Sequence, residues 1–270
     1  MQSKNPELCS GFCFRVEIEE LRVEMKQMKL IDSVKLEAKN PVYWDFDGLF
    51  IRRDGTVKFC YRDRDSVVAL SLEGEREVWY TAPEGEILKS PSRWANACPG
   101  YSPMLNSRGE KDNTDEIYYF DDYAISHKSE WSYVCKQDGK EIWTFKGYAW
   151  RYTCIERYGD NIYFGTAGQG GYFYLLNLHT GEPLVKLKTG GSVNIYARQE
   201  NKLYLLQQEK KAYLVCVDLN DGTILERLEL PGTVKDECAV KLIGNTVHAV
   251  TLFFHKNRSF SHACWHRIEV

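Results

Sequence analysis

The chain has 270 residues, enough for one large domain with an ample core, and it carries 35 Lys and Arg against 38 Asp and Glu. A formal charge of −3 provides no basic surface for a polyanion, so nucleic acid is not an expected partner. No apolar run approaches the ~20 residues of a membrane helix, so no membrane partner is expected either.

In chain order, Met1 to Phe14 show no long apolar core behind a basic segment, and no signal peptide is visible. The surroundings of Cys9 make a poor lipoprotein processing site. The nine cysteines are an odd number, with strand-like neighbours such as Phe59-Cys60-Tyr61 and Val215-Cys216-Val217. They read as reduced core thiols of a cytoplasmic protein. Residues 1–32 form an N-terminal extension. Within it, Phe12–Met28 reads either as additional strands or as a short amphipathic helix on Ile18, Leu21, Met25 and Met28.

Residues 33–270 are organised by a repeat. Four segments share an apolar strand, a glycine turn and a second strand, with the turn at Gly74, Gly139, Gly181 and Gly222. The last three glycines are spaced 42 and 41 residues apart. The first gap, 65 residues, is lengthened by a polar stretch near 99–116 that reads as an inserted loop. Two more strands precede each hairpin, as in Tyr152–Arg157 and Ile162–Gly165, then Val193–Ala197 and Leu203–Leu206. Four strands at a period near 40 residues predict an all-β fold, a β-propeller of four-stranded blades.

Counting gives five blades, at 45–81, 94–146, 150–188, 194–230 and 237–270. A sixth is possible if residues 12–28 are strands. The last unit has only three strands of its own, and Val34–Ala38 resembles the outer strand Val185–Lys188. An N-terminal strand at 33–38 is therefore expected to complete the C-terminal blade and remove a free sheet edge.

The hairpin pattern, seen best in Asp138-Gly139-Lys140-Glu141-Ile142-Trp143 and in Tyr174–Gly181, resembles the repeats of the PQQ-dependent alcohol dehydrogenase-like (quinoprotein-like) superfamily. The resemblance implies a propeller fold. The superfamily's enzymes hold their quinone between a Trp and a disulfide of adjacent cysteines, beside calcium. No adjacent Cys pair exists in this chain, so the resemblance is to a non-enzymatic member, with no cofactor expected. Such members serve as assembly scaffolds and ligand sensors.

Trp44, Trp94 and Trp150 each stand just before the first strand of a blade, with Arg93 and Arg151 beside them. First strands line a propeller's channel, so these five residues are expected to ring one channel mouth. Aromatic faces beside planar cations suit a small ligand or a peptide side chain. Trp residues that wedge blades apart would produce the same pattern. His262, Cys264 and His266 alternate along one strand and share a face, as zinc ligands do. Aligning third strands places Cys264 with Cys216 and Cys135, and His266 with Asp218, Asn177, Gln137 and Ser71. The repeat thus accounts for two of the three without a metal.

The expected function is non-catalytic, with a protein partner or small ligand bound at the loop face around the channel. The alternative is a small carbohydrate-active enzyme using paired carboxylates, for which Asp45, Asp47, Asp121 and Asp122 are the nearest candidates.

Overall fold

A computed structural model describes residues 27–36, 48–52, 57–63, 66–81, 83, 101–103, 117–129, 132–147, 155–166, 171–190, 196–235 and 238–270. Among these residues there are strands and turns but no helix, and so no helix long and apolar enough to cross a membrane.

The strands fall into five separate antiparallel sheets. The first is β2 (Gly48–Arg52), β3 (Val57–Asp63), β4 (Ser66–Ser71) and β5 (Arg76–Thr81), with β6 (Tyr101–Pro103) added beside β2. The second is β7 (Tyr118–Phe120), β8 (Tyr123–Ser129), β9 (Ser132–Gln137) and β10 (Lys140–Lys146). The third is β11 (Glu156–Tyr158), β12 (Asn161–Gly165), β13 (Tyr172–Asn177) and β14 (Pro183–Lys188). The fourth is β15 (Tyr196–Gln199), β16 (Lys202–Gln208), β17 (Ala212–Asp218) and β18 (Ile224–Leu230). In the last, β19 (Val240–Ile243), β20 (Thr246–Phe254) and β21 (Phe260–Glu269) are completed by β1 (Lys29–Leu36) at the outer edge. The closing strand thus begins at Lys29, four residues ahead of the position expected from sequence. Strand β6 lies inside the segment read as an inserted loop.

Burial follows strand rank within each sheet. Middle strands such as β12 (Asn-Ile-Tyr-Phe-Gly) are buried at every position, because both of their faces meet neighbouring sheets. The fourth strand β14 alternates, with Val185 and Leu187 inward and Lys186 and Lys188 outward. This explains why third strands read as continuous apolar runs and fourth strands as amphipathic ones. Tyr61, Val68 and Leu70 of the first sheet belong to the same buried cluster as Leu36, Val250 and Trp265 of the last.

Two turn positions repeat. Between first and second strands, Asp121, Gly159, Glu200 and Gly244 all take left-handed φ, from 53° to 57°. Between third and fourth strands, Gly181 and Gly222 serve a second purpose, which is close approach, whereas Gly74 and Gly139 have open space around them. A Cβ on Gly181 would lie 2.6 Å from the ring of Trp143 in β10, and one on Gly222 would lie 2.7 Å from Val185 in β14. Each turn therefore seats on the fourth strand of the preceding sheet. The Trp143 indole also donates to the Leu178 carbonyl at 2.8 Å.

A third repeated feature marks the outer edge. Register shifts interrupt the pairing of third with fourth strands in all five sheets, at Trp79, Ile142, Leu184, Leu225 and Ile31. In four sheets the extra residue occupies the same register; in the first it is displaced by two residues. Bulges twist an edge away from further pairing. Strand β1 carries this bulge although it comes from the other end of the chain, so it occupies the fourth-strand position in full geometric detail.

The register of β21 corrects the third-strand alignment. Asp218 lies opposite Lys202 and Asn177 opposite Asn161; the matching pair in the last sheet is Glu269 opposite Thr246. The backbone agrees, since Val270 N donates to Asn245 O as Leu219 N does to Asn201 O and Leu178 N to Asp160 O. His266 therefore stands three residues from the polar repeat position, at the buried place held by Val215 and Tyr174. No glycine turn follows β21 to mark its register in the sequence. The polar position serves its own turn at three places, while Gln137 donates to Asp122 and Asp218 also accepts from Asn201 at 3.0 Å. Asn177 and Asp218 accept from backbone N–H groups two or three residues ahead, and Ser71 from those of Glu73 and Glu75.

Candidate functional site

The rim residues Trp44, Arg93, Trp94, Trp150 and Arg151 lie outside the described residues, as do Asp45 and Asp47. So does most of 99–116 apart from β6, which pairs with β2 through Phe50–Pro103, Ile51–Ser102 and Arg52–Tyr101. The described structure shows instead the far end of the first strands, where each turns into the second.

In four sheets the first strand is at the edge opposite the fourth strand, while in the first sheet β6 lies outside β2; β15 and β19 lie against each other. Their register aligns Tyr119, Arg157, Arg198 and Leu242, each two residues ahead of the left-handed turn residue. Arg157 of the third sheet forms an ion pair with Asp121, the turn residue of the second, and its Nε donates to the Gly159 carbonyl at 2.7 Å. Arg198 of the fourth sheet is the equivalent cation. The turn residue of the third sheet equivalent to Asp121 is Gly159, which has no carboxylate. Arg198 is exposed, with one Nη 3.4 Å from the Tyr163 hydroxyl and its guanidinium 5.8 Å from the centre of the Tyr158 ring.

Beside it, Glu156 on β11 accepts hydrogen bonds from the Tyr163 hydroxyl at 2.7 Å and the Tyr196 hydroxyl at 3.4 Å. The Tyr163 and Tyr196 rings meet edge-on at 5.7 Å across the junction of the third and fourth sheets. Burial, reinforced by the Glu156 charge, raises the Tyr163 pKa well above the usual phenol range. Tyr163 therefore stays a neutral donor.

Other polar side chains at this end also join sheet to sheet. Tyr123 Oη bonds His179 Nδ1 at 2.8 Å, and Asp160 Oδ1 lies 3.3 Å from His179 Nε2. Asn161 donates to the carbonyls of Leu219 and Asn220 at 2.8 Å, and Gln199 to Asn245 at 3.2 Å. The two adjacent acids are both engaged, Asp121 by Arg157 and Asp122 by the Gln137 amide.

The His-Cys-His stripe on β21 has separate surroundings at each member. His262 stacks on Phe253 with centroids 4.4 Å apart. The Cys264 thiol is pushed up by burial, and the nearby Lys35 charge acts in the opposite direction. His266 is fully buried, with Nδ1 2.7 Å from Ser33 Oγ and Nε2 2.7 Å from Thr251 Oγ1. Among the described residues, no three His, Cys, Asp or Glu side chains come together as a metal site. The Thr251 hydroxyl donates to the Pro231 carbonyl at 2.6 Å, so it accepts from His266 Nε2–H, which leaves Nδ1 to accept from Ser33. Burial lowers the His266 pKa to about 4, and the ring is neutral.

The sequence reading missed the Arg157–Asp121 pair and its incomplete counterpart at Arg198. The signal was present in the spacing, as each Arg stands two residues before a turn residue, Gly159 or Glu200. The pairing of that turn with the next sheet's Arg is a tertiary fact.

No protein-family model matches the chain, and no curated protein matches it. Among solved structures it is similar to BamB from Moraxella catarrhalis, at 12% identity and TM-score 0.34 over 83% of this chain and 59% of that one. It is similar to the WD40 beta propeller domain of Doa1, at 9% identity and TM-score 0.30 over 90% of this chain and 97% of that one. It is also similar to the computationally designed Ika8 protein, at 13% identity and TM-score 0.35 over 82% and 69% of the two chains. Likenesses at these TM-scores carry no argument about function. The strand pairing defines the class: an all-β protein of the β-propeller type, built from repeated four-stranded antiparallel sheets.

Proposed function

We propose that the protein is a non-catalytic binding platform, a ring of five blades closed by β1, which takes a protein partner or small ligand at the loop face around its channel. Trp44, Trp94 and Trp150, with Arg93 and Arg151, are its recognition residues in this reading. The observation that carries it is the use made of polar side chains at the junctions between sheets. Asp121, Arg157, Tyr123, His179, Asn161, Glu156 and Gln199 each join one sheet to the next, which is scaffold work. Recognition then falls to the loops, as is usual where a rigid scaffold presents variable connections.

The Trp143–Gly181 contact supports placing the chain with the quinoprotein-like repeats, because it gives the recurrent Gly turn and the Trp of that pattern a joint packing role. The Cys135, Cys216 and Cys238 side chains are buried, and the thiols of the first two are pushed up to about 11 by burial, which suits inert core residues of a cytoplasmic protein.

The test is quantitative co-purification and ligand screening with Trp150→Ala and Trp94→Ala beside the wild type. Selective loss of one partner or ligand, with an unchanged melting temperature, supports the rim. Identical profiles from all three proteins refute it.

A further inference from the structure

We infer that the junction of the third and fourth sheets is a binding site for a carboxylate supplied from outside the chain, with Arg198 as its cation. The argument comes from the repeat. At the preceding junction the guanidinium of Arg157 is neutralised by Asp121, the left-handed turn residue between β7 and β8. Arg198 occupies the same register on β15 as Arg157 does on β11. The turn residue that would neutralise it is Gly159, at φ 57° against 54° for Asp121. The backbone keeps the geometry of the pair while the carboxylate is missing. Space for one is present, since a Cβ added to Gly159 meets nothing within 4 Å.

Two further observations show that the cation is held for use. The Arg198 guanidinium lies by the Tyr158 ring at 5.8 Å, and an Nη rests 3.4 Å from the Tyr163 hydroxyl, so its direction is constrained. Tyr163 is itself fixed by its 2.7 Å bond to Glu156. No carboxylate forms an ion pair with Arg198 among the described residues. Glu156, the nearest acid in this network, takes phenol protons instead. A planar guanidinium recognises a carboxylate through paired N–H···O bonds. The ligand chemistry is therefore a carboxylate, from an acidic side chain of a peptide or from a free organic acid. The site uses none of the Trp and Arg rim residues, so it stands or falls independently of that reading.

Gly159→Asp supplies the missing group internally and Arg198→Ala removes the cation. Both leave Tyr163 and Glu156 in place, and the left-handed turn already accepts Asp at the equivalent position. A fluorescein-labelled hexaglutamate peptide is titrated by anisotropy into wild type, Arg198→Ala and Gly159→Asp, each checked by thermal unfolding; glutarate is the competing free acid. Expected is saturable binding to wild type and about tenfold or greater weakening in both variants, the scale of one charge-assisted contact. Glutarate that displaces the peptide identifies the carboxylate alone as the ligand; failure to displace it assigns the site to acidic side chains of a polypeptide. A wild type that binds neither acid overturns the inference, as does undiminished binding in either folded variant.

Discussion

Asp32 and Arg267 stand 235 residues apart in the chain, yet the Asp32 carboxylate accepts from both Nε and an Nη of Arg267 across the β1–β21 pair. Further polar ties hold β1 and the residue just before it. Ser33 meets His266, and the backbone N–H of Met28 is shared between both carboxylate oxygens of Glu226 on the fourth sheet, at 2.9 Å each. Apolar contacts do the larger part, with Leu36 fully buried and Met28 nearly so.

The ion pair predicts a modest and pH-dependent contribution. Hydrogen bonding by Arg267 is the main cause that lowers the Asp32 pKa below its ordinary 3.8. Its stabilisation is thus present above that value and lost as pH falls through the folded pKa. Asp32→Asn is expected to lower stability by about 1 kcal/mol at pH 7, since the pair is partly solvent-screened. The difference should vanish below the Asp32 pKa. Urea unfolding of both proteins at several pH values measures this.

Deleting residues 1–36 is a harsher test of closure. The last sheet then loses its fourth strand and exposes the edge of β21, together with the pocket of Leu36 and Met28. A loss of several kcal/mol is expected from the two buried side chains alone, at about 1.5–3 kcal/mol each. Size-exclusion chromatography should show aggregation or unfolding. A stable monomer with unchanged melting would mean that β1 is dispensable.

Two buried histidines make the last sheet acid-sensitive. His248, which accepts from the Trp265 indole at 3.0 Å, and His266 both have pKa values lowered to about 4, chiefly by burial. A folded pKa below the unfolded value of 6.5 means that unfolding takes up protons. Stability is therefore full above about pH 7 and declines as pH falls from 6.5 toward 4. Each histidine accounts for roughly 2 kcal/mol by pH 5. His248→Gln, which keeps an acceptor for Trp265, should flatten the pH dependence of unfolding by about half across that range.

The turn glycines separate strain from close approach. Gly181→Ala places a methyl against the Trp143 ring at a φ of 71°, and a loss of about 2–4 kcal/mol is expected from overpacking plus backbone strain. Gly139→Ala has a similar φ of 75°, but its Cβ meets nothing within 4 Å, so about 1 kcal/mol should be lost. Equal effects in thermal unfolding would remove the docking role assigned to Trp143.

Much of this architecture is legible without coordinates. Turn glycines at 139, 181 and 222, continuous apolar third strands and amphipathic fourth strands specify the four-stranded unit, because strand burial and turn conformation are local consequences of side-chain type. The partnership of an N-terminal strand with the last unit also follows, from a missing fourth strand at one end and a spare one at the other. Other features were decided only in three dimensions. The register of β21 could not be read, since no glycine turn follows it, and the error carried His266 to a polar repeat position when it is a buried core residue. The pairing of Asp121 with Arg157, and the absence among the described residues of a carboxylate partner for Arg198, depend on which turn faces which strand of the next sheet. That relation is set by sheet-on-sheet packing, over distances at which sequence spacing holds no information. The sequence by itself determined the repeating unit and the completion of its last sheet by an N-terminal strand, and the tertiary structure decided which charges the repeat neutralises and which it leaves open.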